Sequence, residues 1–130
     1  MEVFLMMILL HIIDDFVLQP VCLSKLKQKS FWDEYNKESN GLYKYDYIMA
    51  LFIHALSWSI MIHIPIFMCF NAPQDIIYGL SVILWATFHA HIDDLKANKK
   101  SISLVFDQSM HFLQIVGLYI AYYLIDLKCC

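Results

Sequence analysis

Four long apolar stretches constrain this chain more than any other feature. They cover about residues 3–23, 47–70, 76–95 and 103–125. A membrane span takes roughly 20 mostly apolar residues. In hydrocarbon every backbone N–H and C=O must find a partner inside the protein, so only helices and closed barrels cross. The apolar runs are continuous rather than alternating, which selects helices. The expected fold is therefore all-α: a polytopic four-transmembrane-helix bundle, one membrane domain over residues 1–130. Composition agrees. With 60% hydrophobic and 16% charged residues, the chain has too little polar surface for a soluble domain of this size. The lipid bilayer is its first expected partner, and a net charge of −3 is too small to imply nucleic acid.

The connections set an orientation. Residues 24–46 form a polar loop with Lys25, Lys27, Lys29, Lys37 and Lys44. Its aromatic residues, Phe31, Trp32, Tyr35, Tyr43 and Tyr45, suit the membrane interface. A short interfacial helix is expected there, and Ser39-Asn40-Gly41 reads as a turn. Residues 96–100 form a short basic turn, whereas 71–75 form a lysine-free turn around Pro73. Positive charge marks the cytoplasmic side. Four spans place both lysine-bearing connections on that side and both termini opposite. The apolar run at the N-terminus lacks a preceding basic segment and reads as a retained span. Every basic residue is lysine, and Ile, Tyr and Asn are abundant. Such usage fits an AT-rich phage or bacterial coding sequence, hence a bacterial inner membrane.

The four cysteines, Cys22, Cys69, Cys129 and Cys130, form neither a CxxC motif nor a metal-ligand spacing. A disulfide scaffold is not expected. The terminal pair invites comparison with lipidation sites.

The spans carry groups that lipid does not tolerate cheaply. An Asp or Lys near the centre of a span costs about 2.5–3.5 kcal/mol on insertion scales. Helical phase sorts these groups. His11, Asp15 and Gln19 stand four apart, as do His89 and Asp93, and Asp107 and His111. Each set shares a face of its helix. The second span offers His54, with Ser57 beside it. With a rise of about 1.5 Å per residue, Asp15, His54, His89, Asp107 and His111 lie roughly 6–12 Å in from the lysine-bearing ends. All four helices thus present His or Asp at similar depth. His63 falls on the opposite face from His54 and reads as satisfied by a neighbour. His91 points away from His89, and Asp14 and Asp94 flank the better-placed carboxylates.

Imidazole and carboxylate together are ligands for Zn, Mn or Fe(II). Bundle cores build such sites from facing helices. The ligand pool is His11, Asp15, His54, His89, Asp93, Asp107 and His111, enough for one or two divalent ions. A metal-activated water would then hydrolyse an ester or phosphoester of a lipid or amphiphile. Asp15 or Asp93 would serve as general base, and Lys96 would hold an anionic headgroup. Two other classes fit the same residues. One is a proton or ion pathway, probed by Asp15→Asn or Asp107→Asn, in a homo-oligomer. The other is a non-enzymatic phage effector that binds a host membrane protein, with the cluster fastening the bundle.

The strings HIIDDFVLQ (His11–Gln19), HAHIDDLK (His89–Lys96) and FDQSMH (Phe106–His111), in that order, resemble domain-of-unknown-function family 3307. Its members are small multi-span bacterial and phage membrane proteins. Carried over by position, the resemblance marks His11, Asp15, Phe16, Gln19, His54, His89, Asp93, Lys96, Asp107, Gln108 and His111. The doublets Asp14-Asp15 and Asp93-Asp94 depart from that pattern. More loosely, the chain is similar to inner-membrane proteins labelled metal-dependent hydrolases. That likeness implies a metal cofactor but establishes no chemistry.

Overall fold

The computed structural model describes residues 2–19, 21–70 and 76–129, with side chains through Asp126. The expected turn at 71–75 and the Cys129–Cys130 pair lie outside the described side chains. The described residues are helical and contain no strand. Three helices are long and apolar enough to cross a membrane: Asp46–Cys69, Ile76–Ala97 and Leu104–Asp126.

The first apolar stretch differs from the single helix expected over residues 3–23. It is divided into α1 (Glu2–Ile12), a π-helical turn π1 (Ile13–Leu18), and α2 (Val21–Leu26). The break has a local cause. The residue before a proline is pushed out of the α region by the ring, and Gln19, before Pro20, is extended with φ −81° and ψ 97°. The π turn has a consequence for the doublet. Its wider winding turns both carboxylates toward the bundle: Asp14 is buried, and the Asp15 side chain is only 7% exposed.

The short helix expected in the loop after it is present as α3 (Lys29–Asn36). The Ser39–Gly41 turn is also present, with Asn40 and Gly41 at positive φ. Trp32 packs against Phe31, Tyr35 and Tyr43. The long helices follow: α4 (Asp46–Cys69), α5 (Ile76–Ala97) and α6 (Leu104–Cys129). Helix α4 is central, packing against every other helix and against π1. Pro65 lies within it and is buried; in a membrane helix, neighbouring groups can absorb the lost backbone bond.

The core has an unusual composition. Its apolar part is Met7, Trp58, Ile62, Ile66, Ile115, Leu118 and Tyr122. Almost as many polar and charged residues are buried, among them His11, Asp14, Lys27, His54, His89, Asp93, Asp107 and His111. Large apolar side chains face outward instead: Leu9 on α1, Ile53 on α4, Leu80 on α5 and Leu113 on α6 are all about half exposed or more. Polar inside and apolar outside suits a solvent that is lipid.

Candidate metal centre

Four structural units bring the cluster together. Helix α1 and its π turn contribute His11, Asp14 and Asp15; α4 contributes His54; α5 contributes His89 and Asp93; α6 contributes Asp107 and His111. His54 is the junction. Its Nε2 lies 3.6 Å from Asp15 Oδ1 and 3.5 Å from Asp93 Oδ2. The same nitrogen lies 3.3 Å from His89 Nε2. His111 Nε2 is 3.5 Å from Asp93 Oδ1 and 3.4 Å from Asp107 Oδ1. Asp15, Asp93 and Asp107 therefore point into one place, as the helical phase of the sequence requires.

Two overlapping sets of side chains can each surround one ion: Asp15, His54 and His89, and His89, Asp93 and His111. Tetrahedral ligation at about 2.0–2.1 Å puts ligand atoms about 3.3 Å apart. Four of the six pairs within these sets stand 3.3–3.9 Å apart, and all the ligand atoms of each set lie within 4.8 Å of one another. His89 belongs to both sets, and one ring nitrogen serves one ion. The other members of the expected pool are engaged beside these sets. His11 Nδ1 accepts a 2.8 Å hydrogen bond from Trp58 Nε1–H. Asp107 pairs with Lys96 at 2.7 Å.

Ring stacking fixes the imidazoles. Trp58 stacks on His89 with centroids 4.1 Å apart, and His89 stacks on His111 at the same distance. Behind His54, Asp14 Oδ2 lies 3.7 Å from Nδ1, while Asp14 Oδ1 accepts a 2.7 Å bond from Ser57. A carboxylate behind an imidazole favours a proton on the near nitrogen and leaves the far one free as a ligand.

Three contributors escape the i,i+4 reading. The first is Lys27, whose buried Nζ lies 2.6 Å from Asp93 Oδ2. Asn98 holds the backbone there: its Nδ2 donates to Lys27 O and its Oδ1 accepts from Lys29 N–H. In sequence Lys27 is one of five loop lysines, and nothing local distinguishes it. The second is Asp14, brought inward by the π turn. The third is Trp58, one helical turn beyond His54, a signal that phase could have supplied.

The charges do not cancel. Asp14, Asp15, Asp93 and Asp107 oppose Lys27 and Lys96. With neutral imidazoles this leaves an excess of two negative charges, the amount that one divalent cation offsets. Several buried polar atoms also lack a hydrogen-bond partner: Asp14 Oδ2, Asp15 Oδ1, Asp107 Oδ1, His89 Nδ1 and both ring nitrogens of His111. Buried groups of this kind are costly when left unpaired.

The cluster opens into a cavity of about 330 Å³ at the lysine-bearing end, lined by Asp15, His54, Asp93, Asp107, Lys27 and Lys96 among others. In the other direction it closes. Further in, Met7, Ile62 and Ile115 are fully buried.

His63, next to Ile62 on α4, is buried in a different setting. Its Nδ1 lies 2.7 Å from Ser59 O, and a carbonyl only accepts, so Nδ1 carries the proton. In the neutral ring Nε2 then accepts from Ser81 Oγ–H at 2.7 Å, which leaves Ser81 to accept from Tyr122 Oη at 3.0 Å. Both ring nitrogens are partnered, as its phase suggested. His91 is exposed, and Asp94 pairs with Lys99 at 3.7 Å. Comparison with family models, curated proteins and solved structures gives no match to this chain.

Proposed function

We propose that this chain is an integral membrane protein that binds one divalent transition-metal ion between its helices, near the cytoplasmic end. The supporting observation is convergence: Asp15, His54 and His89, and His89, Asp93 and His111, from four helical segments, form two metal-sized triads that share His89, with unpartnered polar atoms among them. His89 is common to both triads, which favours one ion over two. Imidazole and carboxylate accept Zn(II), Mn(II) or Fe(II). Membership of domain-of-unknown-function family 3307 is part of the same proposal and rests on the three motifs.

The fourth span belongs to this proposal as well. Eleven α-helical residues run without interruption into six π-helical ones, near the lower limit for a span. The lysine-rich loops then face the cytoplasm of a bacterial cell and both termini face outward.

The proposed chemistry is hydrolysis of an amphiphile. A divalent ion supplies a Lewis acid and acidifies water at neutral pH. Asp15 is the better placed general base. It lines the cavity with Oδ1 free of hydrogen bonds, whereas Asp93 Oδ2 is held by Lys27.

Metal analysis tests the reading. Protein purified in mild detergent and exposed to Zn(II) or Mn(II) should retain about one ion per chain, and His89→Ala should not. A wild-type protein that retains none ends the proposal.

A further inference from the structure

A shallow, mainly apolar surface lies along the outer face of α6. Val105, Phe112 and Leu113 form its floor. It shares Leu104 and Gln108 with the polar cavity above the metal ligands. The two are thus contiguous: one is polar and charged, the other open to lipid.

The seam between them is thinly built. No Cα of π1 comes within 8 Å of a Cα of α6. Gln108 reaches across, its Nε2 donating to Asp15 Oδ2 and to Asp107 Oδ2 at 3.2 Å each. A side-chain amide can rotate away at little cost, whereas two packed helices cannot part so easily. On the polar side stand Lys96, with its side chain 38% exposed, and Lys100, which is exposed and held by a left-handed backbone at φ 52°.

We propose that the molecule acted on is a single-chain amphiphile with a phosphate-ester headgroup, which enters sideways from the bilayer between π1 and α6. This rests on the metal-site reading. The headgroup lies in the polar cavity against Lys96 and Lys100, and the chain lies along Val105, Phe112 and Leu113. Phosphate brings nearly two negative charges and three acceptor oxygens; Lys100 meets them directly, while Lys96 is shared with Asp107. Hydrolysis adds water across the ester P–O bond. The water oxygen joins phosphorus, and Asp15 passes one water proton to the departing alcohol oxygen.

A photoreactive dodecyl phosphate with a mid-chain diazirine tests this in nanodiscs. Labelling should favour the α6 peptide containing Val105 and Leu113 over the outer face of α5 by about ten-fold. Excess dodecyl phosphate should suppress it; dodecyl maltoside, dodecanoate and inorganic phosphate should not. Ser109→Trp and Val105→Trp, which cover this surface away from the metal ligands, should each remove the preference. Even labelling of all outward faces, or equal competition by dodecyl maltoside or dodecanoate, overturns the proposal. Metal content is measured on the same samples. Selective labelling without bound metal ends the metal reading and leaves the amphiphile surface standing, and bound metal without selective labelling does the reverse.

Discussion

Lys27 and Asp93 form a buried ion pair, Nζ to Oδ2 at 2.6 Å, between side chains that are only 8% and 7% exposed. The pair joins the end of α2 to α5, across 66 positions of sequence. It places an ammonium group against a carboxylate that also faces His54 and His111.

Removing one partner of such a pair leaves the other charge buried without compensation, at a cost of about 3–5 kcal/mol. Lys27→Met should therefore lower stability by that order in metal-free protein, read by thermal unfolding in detergent. Lys27→Met with Asp93→Leu should recover most of the loss, because a buried apolar pair is close to neutral. Zn(II) or Mn(II) should partly restore the single variant and leave the double variant unchanged. If metal restores both equally, Asp93 is not a ligand.

Buried histidines should divide into two classes. His89→Ala and His111→Ala remove proposed ligands, so metal binding should fall by more than the roughly 10–100-fold typical of an outer partner. His63→Phe breaks the bonds to Ser59 and Ser81 and should cost about 1–3 kcal/mol in stability, with metal content unchanged. Parallel metal analysis and unfolding curves separate the two classes. Metal loss in His63→Phe would show that the far network supports the site.

The cluster was legible because membrane helices expose it twice. Charge inside an apolar run marks a residue as unusual, and helical phase then assigns its face. His54, His89, Asp93 and His111 are found this way. Lys27 is not, because its burial depends on where the chain turns after Gln19 and on Asn98, 71 residues away. The π turn was also invisible: Asp14 and Asp15 mark the segment Ile13–Leu18 as polar, but a change of winding leaves no mark on composition. Without it, residues 3–23 read as one helix and Asp14 reads as a bystander.

Trp58 gives a test of positioning without ligation. Its Nε1–H donates to His11 Nδ1 at 2.8 Å, and its ring stacks on His89. Trp58→Phe retains an aromatic face and removes the donor. The buried His11 nitrogen then loses its partner, at about 1–3 kcal/mol. Unfolding should shift accordingly, while metal content stays near wild type and metal release quickens. Loss of all metal would make His11 part of the ligand shell, with Trp58 holding it in place.

Topology decides whether the first apolar stretch spans. Three helices, α4, α5 and α6, suffice by length and composition; α1 with π1 is the proposed fourth. In a background with the native cysteines replaced, Ser39→Cys, Lys99→Cys and Glu2→Cys can each be probed with a membrane-impermeant maleimide. Ser39 and Lys99 flank the two-span hairpin of α4 and α5, so they should react from the same side, the cytoplasmic one by lysine content. Glu2→Cys should react only from the opposite side if α1 and π1 cross. Reaction of Glu2→Cys from the cytoplasmic side would fold the first stretch back within one leaflet. His11 and Asp15 would still reach the cluster, but as part of a re-entrant helix, and the chain would cross three times.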